Sequence, residues 1–156
     1  MFSQRRDAAG LPRGRPMSED RIASLIVDED SLCLLVADFY DRVRADPVLG
    51  PVFEGAVVDW PAHLERLTAF WSSVMLTSGR YKGNPFAVHH RHRGEIDLAM
   101  FDRWLGLWRE TTSRRFPAAT AAVFHEKAER IADSLKAGLF FRPELADLRP
   151  ANPRGQ

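Results

Sequence analysis

An amphipathic segment that begins at Trp60 constrains the fold more than any other part of the chain. Its apolar side chains recur at steps of three and four residues, which is the spacing of one face of an α-helix. The residues on this face are Trp60, His63, Leu64, Leu67, Phe70, Trp71, Val74 and Met75. An imidazole, that of His63, is therefore expected among aromatic and aliphatic side chains.

A break and a second helix start follow this segment. Ser78-Gly79 is expected to end the long helix, because glycine adopts the left-handed conformation of a helix C-terminus without a steric clash. Asn84-Pro85 predicts a new helix, with asparagine as its cap and proline at its first position. His89 then lies one turn into this short helix. Two imidazoles presented by aromatic faces can line both sides of a flat apolar pocket, and haem is a ligand that needs such a site.

Three other segments show the same helical spacing. One starts at the acidic run that begins with Asp28, and it is expected to stop before Pro47. A second starts at Asp97, a helix cap, and a third starts at Phe116-Pro117. The apolar stripe of the first of these helices is Leu32, Leu35, Val36, Phe39, Tyr40 and Val43. That of the second is Met100, Phe101, Trp104, Leu105, Leu107, Trp108 and Thr111. That of the third is Ala121, Phe124, Ala128, Ile131, Ala132, Leu135 and Leu139.

The remaining segments are short or lack periodicity. A short helix is expected from about Glu19 to Ile26, and a turn is expected at Leu49-Gly50-Pro51. No segment predicts a convincing strand, an internal repeat or a second domain. We therefore expect one all-helical domain over residues 18–141, a disordered tail over residues 1–17 and a loose tail over residues 142–156.

The composition excludes several classes of function. The chain has 156 residues with 22 basic and 21 acidic side chains, so its net charge of +1 favours neither nucleic acid nor an anionic membrane as a partner. No apolar run approaches the length of a membrane-spanning helix. The single cysteine, Cys33, rules out an internal disulfide and fits a cytoplasmic location, which is the one we expect.

Five parts of the sequence follow one another in a specific order and spacing. They are Phe39-Tyr40; residues 46–53; the run Phe-Trp-Ser-Ser-Val-Met-Leu at residues 70–76; the run Gly-Arg-Tyr-Lys-Gly-Asn-Pro at residues 79–85, followed by His89; and residues 101–105. Together they resemble the truncated haemoglobins of group three, over roughly residues 32–135. The resemblance implies an all-α, globin-like fold, a shortened two-over-two helical sandwich around haem b (iron protoporphyrin IX).

The iron ligand that the resemblance implies is His89. On spacing alone, His89 and His90 are equivalent, because either can share a helix face with Phe86. The family pattern Gly-Asn-Pro-x-x-x-His selects His89. The chain departs from the family pattern over residues 90–95, which follow this ligand. Without the resemblance, this histidine cluster is interpreted as a solvated polar loop, with a zinc site as a weaker alternative.

The resemblance also implies a distal set of side chains that stabilise a bound ligand. In the family, the residues that match Tyr40 and Trp104 donate hydrogen bonds to this ligand, and His63 matches the distal histidine. The residues themselves leave alternatives open. Tyr40 can be a buried phenol bonded to a backbone carbonyl, Trp104 can be simple packing, and His63 can be a gate, a weak donor or an imidazole at the edge of the core.

Aromatic and basic side chains complete the expected haem site. The resemblance implies contacts with haem from Phe53, His63, Phe70, Trp71, Met75, Tyr81, Phe86, Phe101 and Trp104. Ordinary core packing is the alternative for Phe70, Trp71, Met75, Phe86 and Phe101. Candidates to pair with the haem propionates are Arg80, Tyr81, Lys82, Arg91 and Arg93. For each of these, a solvated surface position is the alternative.

The expected function follows from two donors in a dry pocket. Such donors slow the release of oxygen, which suits oxygen or nitric oxide redox chemistry, or detoxification, better than bulk transport. We expect binding of O2, NO, CO or similar small ligands at a His-ligated iron, with a reductase as a candidate partner. Nitric oxide dioxygenase or peroxidase-like activity is the candidate reaction. An oxygen reservoir or sensor with the same pocket, and a haem-free helical interaction module, are the alternatives.

Overall fold

The computed structural model describes residues 26–140, and within them the chain is all-helical, as predicted. Its helices are α1 (Glu29–Ala45), α2 (Leu49–Ala56), α3 (Trp60–Leu76), α4 (Pro85–Arg91), α5 (Leu98–Arg115) and α6 (Ala118–Phe140). The predicted tails, and the predicted first helix apart from Ile26, lie outside the described residues.

Three of these helices begin at the predicted start signals, two of which, Asn84 and Asp97, were predicted as caps. The Asp28 carboxylate accepts a hydrogen bond from the Ser31 backbone at 2.8 Å, and the Ser31 hydroxyl accepts one from the Asp28 backbone at 2.9 Å. The Asn84 side chain accepts from the backbone of the third residue of α4, and Asp97 does the same at α5. Because an unpaired N–H group at a helix start is costly, these caps fix where each helix begins.

The predicted turn at Leu49-Gly50-Pro51 is wrong, since these residues form the first turn of α2. Proline is tolerated there because the first N–H groups of a helix have no partner within the helix. The Asp46 carboxylate accepts hydrogen bonds from the backbone N–H groups of Val48 and Leu49, both at 2.9 Å. The Asp46 side chain is therefore a start signal for α2. It was not recognised in the sequence because the Gly-Pro pair that follows is typical of a turn.

The end of α3 also differs from the prediction. The helix stops at Leu76, and Thr77 adopts the left-handed conformation with φ 53°, whereas Gly79 is left-handed in the loop that follows. Two serines of α3 hold this loop against the helix. The Ser73 hydroxyl accepts from the Tyr81 backbone at 2.9 Å, and the Ser72 hydroxyl contacts that of Ser78. These tertiary contacts end the helix before the glycine is reached.

The helices pack as two pairs, α1 with α3 and α5 with α6, and α1 also packs on α5. The predicted stripe of α1 is fully buried, and so is that of α6 except for Ile131, which is partly buried. The short helix α4 packs on α6. No extensive packing joins α3 to α4 within residues 26–140. The helix that carries His63 and the helix that carries His89 are thus held by different neighbours.

Candidate functional site

A cluster of aromatic rings surrounds Tyr40, which is only 4% exposed. Phe39 and Phe53 lie edge-on to its ring, with centroids 4.9 and 5.7 Å away. From the start of α3, the rings of His63 and Trp60 lie 5.7 and 6.1 Å from that of Tyr40. Helices α1, α2 and α3 therefore bring the predicted distal residues Tyr40 and His63 together, with Phe53 beside them.

The Tyr40 hydroxyl is buried and hydrogen-bonded to a second predicted distal residue. Burial raises the pKa of the Tyr40 phenol far above its usual range, and the hydrogen bond from the Trp104 side chain partly offsets this rise. Tyr40 is therefore fully protonated at neutral pH. A phenol oxygen that accepts from an indole N–H still has its own proton to donate.

Trp104 is held in place by a stack of indole rings. Its ring lies parallel to that of Trp108, with an interplanar angle of 6° and centroids 5.8 Å apart. The Trp108 ring in turn stacks on Trp71 at 4.3 Å, and its N–H donates to the Phe124 carbonyl. This stack joins the distal residues to the α5–α6 core and fixes the direction of the Trp104 N–H group.

His63 presents a buried nitrogen that has no partner. Its Nε2 atom is buried and makes no hydrogen bond within the described residues. Burial is the main cause that lowers the pKa of His63 from 6.5 to about 4, and the charges of Arg66 and His89 contribute to this lowering. The imidazole is therefore neutral at neutral pH. His89, on α4, therefore acts electrostatically on His63, on α3.

His89 and His90 have different surroundings, although their spacing could not separate them. The His89 Nδ1 atom lies 2.7 Å from the Pro85 carbonyl oxygen. Because a carbonyl only accepts, this nitrogen carries a proton, and in the neutral imidazole Nε2 therefore carries the lone pair. The His90 ring lies 5.7 Å from that of Phe86, and its backbone carbonyl accepts from Arg93. Of the two, only His89 combines a hydrogen bond that orients its ring with an electrostatic effect on His63.

The predicted pocket residues separate into two groups. Phe53, Phe70, Met75 and Tyr81 are half-buried, and Phe86 is 40% exposed, so these apolar surfaces are incompletely covered. Two other predicted contacts are core residues in this structure, which was the alternative for them. Trp71 belongs to the indole stack, and Phe101 packs against α6 side chains, which are Ala132, Leu135 and Leu139.

A glycine determines how closely α4 approaches α6. A Cβ atom added at Gly138 would collide with the ring of Phe86, so only glycine allows this contact. The contact holds one side of α4 against α6. Phe86 is therefore the anchor of the helix that carries His89.

Two residues of the site were missed by sequence reasoning. Trp60 has a buried Nε1 atom with no hydrogen-bond partner within the described residues, and it lies beside His63 with ring centroids 5.5 Å apart. Its position on the same helix face as His63 was the available signal. Arg66 acts electrostatically on both His63 and Tyr81, and it makes no ion pair in the part of the chain that the structure describes. Arg80, predicted to pair with a propionate, instead forms an ion pair with Glu29.

The alternative of a zinc site gains no support. Within residues 26–140, no group of three or more His, Cys, Asp or Glu side chains converges on a position that could hold a metal ion.

The part of the chain that the structure describes contains no helix with the length and apolar character needed to cross a membrane.

The comparisons with known proteins agree in sequence and in fold. No protein-family model matches the chain. The group 3 truncated hemoglobin ctb of Campylobacter jejuni is 28% identical over 123 residues, which cover 73% of this chain and 92% of that protein. The crystal structure of the group III truncated hemoglobin from Campylobacter jejuni matches with a TM-score of 0.66 and 26% identity, covering 74% of this chain and 94% of that chain. These findings confirm the resemblance predicted from the sequence: the chain is a relative of the group 3 truncated haemoglobins and has the truncated globin fold.

Proposed function

We propose that the chain binds haem b between α3 and α4, with His89 as the iron ligand and the Tyr40 cluster on the opposite face. The observation that carries this proposal is the His89 ring, which the Pro85 carbonyl orients and which acts electrostatically on His63, the residue with an unpartnered buried nitrogen. Similarity to the group 3 truncated hemoglobin of Campylobacter jejuni supports it independently.

The chemistry of His89 fits an iron ligand. A histidine that holds haem iron donates its other ring N–H to a carbonyl or carboxylate, which orients the ring and raises the basicity of the ligating nitrogen. The Pro85 carbonyl is such an acceptor, at 2.7 Å from Nδ1. His90 contacts Phe86 instead, on the side of α4 that packs on α6. We therefore favour His89 over His90.

The surface of the site fits the rest of the haem group. Large apolar side chains that are only partly covered indicate a site for an apolar ligand. Phe70 and Met75 are of this kind, and they come from α3, one of the two helices that would contact the haem faces. Arg66 acts electrostatically on Tyr81, and a guanidinium and a phenol so arranged would hold the propionates.

The distal residues would hold a small ligand such as O2. Haem, when bound, supplies an iron centre that accepts diatomic ligands and gives them partial negative charge. The protonated Tyr40 hydroxyl, oriented by Trp104, would donate to such a ligand in a dry pocket. A hydrogen bond of this kind contributes about 1–3 kcal/mol, and about 1.4 kcal/mol changes a dissociation constant tenfold. We therefore propose slow release of ligand.

A protein that releases its ligand slowly is better suited to a reaction of that ligand than to its transport and delivery. We propose that the protein acts on O2 and NO, or on peroxide, with a reductase as its electron donor, and that it also binds CO. An oxygen reservoir or sensor would use the same pocket and differ in ligand release rates. The cytoplasmic location expected from the sequence stays a prediction.

Absorption spectroscopy tests the proposal. The purified full chain is compared with His89→Ala and His90→Ala, each with added haem, in the ferric form and in the ferrous form with CO. We expect a strong Soret band that is lost in His89→Ala and kept in His90→Ala. Loss in His90→Ala alone would move the ligand to that residue. A protein that stays colourless with added haem would contradict haem binding and favour the haem-free interaction module.

A further inference from the structure

Basic side chains flank α4, the helix that carries the proposed iron ligand. Residues 79–94 contain four basic side chains and no acidic one; they are Arg80, Lys82, Arg91 and Arg93. The described part of the chain as a whole has slightly more acidic than basic side chains. Positive charge is therefore concentrated around α4, although the rest of the described chain is acidic.

Most of this charge is accessible and is not neutralised by neighbouring groups. All four side chains are exposed. Arg80 pairs with Glu29, and the other three form no ion pair within residues 26–140. The Arg93 guanidinium donates to the His90 backbone carbonyl at 2.9 Å, which orients this side chain and leaves its charge in place. Three positive charges are therefore open to a partner.

The outward face of α4 is apolar between these charges. Phe86 and His90, one turn apart with ring centroids 5.7 Å from each other, share the side on which Phe86 meets α6. Ala87, Val88 and Arg91 recur at three- and four-residue steps on the other side of the helix. All three are exposed, and Val88 is 45% exposed. An apolar centre with a charged rim is typical of surfaces that bind another protein.

We propose that this basic surface, formed by Lys82, Val88, Arg91 and Arg93, docks an acidic protein that donates one electron to the iron. The inference rests on the proposed function, and it names the surface that the electron donor would use. Val88 and Arg91 belong to the same short helix as His89, and a helix is only about 10 Å across. In the transfer the donor is oxidised by one electron and ferric iron is reduced to ferrous iron by the same electron, with no bond formed or broken.

Nucleic acid and an anionic membrane fit this surface less well than an acidic protein. An extended polyanion would also meet the acidic surface outside residues 79–94, whereas a compact acidic patch would meet only the basic one. The apolar contact that Val88 offers has no counterpart in a phosphate backbone. Docking that is weak and steered by charge also suits an electron donor, which must leave after each transfer.

The test measures reduction of the ferric, haem-loaded full chain under CO by photoreduced plant-type [2Fe–2S] ferredoxin, a small acidic one-electron donor. Hexaammineruthenium(II), a cationic reductant, is measured in parallel, because a change in the haem itself affects both rates. We expect the ratio of the ferredoxin rate to the ruthenium rate to fall about fivefold in a Lys82→Gln, Arg91→Gln double variant, since electrostatic steering is weakened. Raising the salt concentration from about 0.01 M to about 1 M should remove most of this difference.

The matched control is the Arg114→Gln, Arg130→Gln double variant, which removes two exposed charges from α5 and α6. Arg114 lies at the end of α5 that leads into the start of α6, whereas Phe86 of α4 meets Gly138 near the other end of α6. The control should keep the native ratio of rates. The native ratio in the Lys82, Arg91 variant would overturn the proposed surface.

Binding of oxidised ferredoxin to the full chain, with and without haem, is a second measurement, made by biolayer interferometry. We expect binding that is weaker in the Lys82, Arg91 variant and unchanged in the control. Binding to vesicles that contain phosphatidylserine, lost in the same variant and without binding to ferredoxin, would overturn an acidic protein in favour of a membrane. A chain that takes up no haem would overturn the proposed function, and ferredoxin binding to the haem-free chain would still decide whether this surface docks an acidic protein.

Discussion

The Trp104 side chain hydrogen-bonds to Tyr40, so the two predicted distal donors form one unit. The sequence predicted two separate donors, each aimed at the ligand. In the structure the indole polarises the phenol, and hydrogen bonds arranged in a chain strengthen one another. The two side chains should therefore be strongly coupled in their effect on a bound ligand.

We predict that Tyr40→Phe and Trp104→Phe each speed O2 dissociation by about tenfold, since each removes a hydrogen bond of about 1.4 kcal/mol. The double variant should be much less than a hundredfold faster, because the second change removes a donor that acts through the first. Displacement of O2 by excess CO in a stopped-flow instrument measures the rates. Effects that multiply would show that the donors act independently, and equal rates in native and double-variant proteins would refute ligand stabilisation by this pair.

A second prediction concerns Asp46, which joins the start of α2 to α5. Its carboxylate accepts from the Arg103 guanidinium at 2.7 Å and from the backbone of Val48 and Leu49. The Arg103 hydrogen bond is the main cause that lowers the pKa of Asp46 from 3.8 to about 2. Because the unfolded chain binds the proton more tightly, this stabilisation is present above pH 4 and is lost as the pH falls towards 2.

Asp46→Asn should therefore lower the free energy of unfolding by about 1–2 kcal/mol at pH 7. The loss should shrink as the pH falls from 4 to 2. Urea unfolding of the haem-free protein, followed by circular dichroism, gives both quantities. Asp102→Asn is the control, because Asp102 is exposed and forms no ion pair within the described residues. A loss of stability that is the same at pH 2 and pH 7 would rule out the charge of Asp46 as its cause.

Local signals in the sequence predicted most of the fold. The α1 stripe was correct in full because a regular amphipathic pattern and the Asp28 cap indicate the same helix. The start of α2 was missed because the side chain that accepts from its first N–H groups belongs to Asp46. This residue precedes a proline and lies two residues before the N-cap residue, Val48. The end of α3 was missed because serine contacts with the following loop, which are tertiary, decide it.

The site was less predictable, because side-chain contacts, which helical spacing does not specify, distinguish its members. Spacing could not separate His89 from His90, whereas the Pro85 carbonyl and the Phe86 ring do. Trp71 has the same helical spacing as the other residues of its apolar face, so the sequence could not distinguish it from them. Its contact with Trp108 across the core does distinguish it. Helical periodicity tells which face is apolar and leaves open what that face contacts.

A third prediction concerns the neutral imidazole of His63. Its pKa is about 4 in the folded chain, against 6.5 as the usual value. Since the unfolded chain binds the proton first, the haem-free protein should lose stability as the pH falls from about 6.5 to 4. The effect is on the order of 1 kcal/mol or less, because solvent screens a partly exposed imidazole.

His63→Leu should flatten this part of the pH profile, as measured by thermal unfolding between pH 7 and pH 4. It should not abolish the slope, because burial also lowers the pKa of His125. His92→Gln is the control, since His92 lies in the loop after α4, where its Nδ1 atom is 3.3 Å from the Glu95 carboxylate. An unchanged slope in His63→Leu would mean that the imidazole is solvated in the folded chain.

The last prediction concerns Arg66, which lies within electrostatic range of His63 and Tyr81 and has no ion-pair partner in the described part of the chain. A cation left unpaired at the edge of the site is available to a haem propionate. We expect Arg66→Gln to speed haem loss by up to about fivefold, the equivalent of an exposed ion pair of about 1 kcal/mol. Transfer of haem to an excess of a scavenging apoglobin measures the rate.

The control for Arg66 is Arg130→Gln, which removes an exposed guanidinium that pairs with Glu126 within α6. Raising the salt concentration should speed haem loss from the native protein and leave Arg66→Gln almost unchanged, because salt screens the proposed ion pair. Equal haem loss in the native protein and Arg66→Gln, at low salt, would exclude this residue as a propionate partner. Lys82 and Arg91, predicted from the sequence, would then be the next cations to replace.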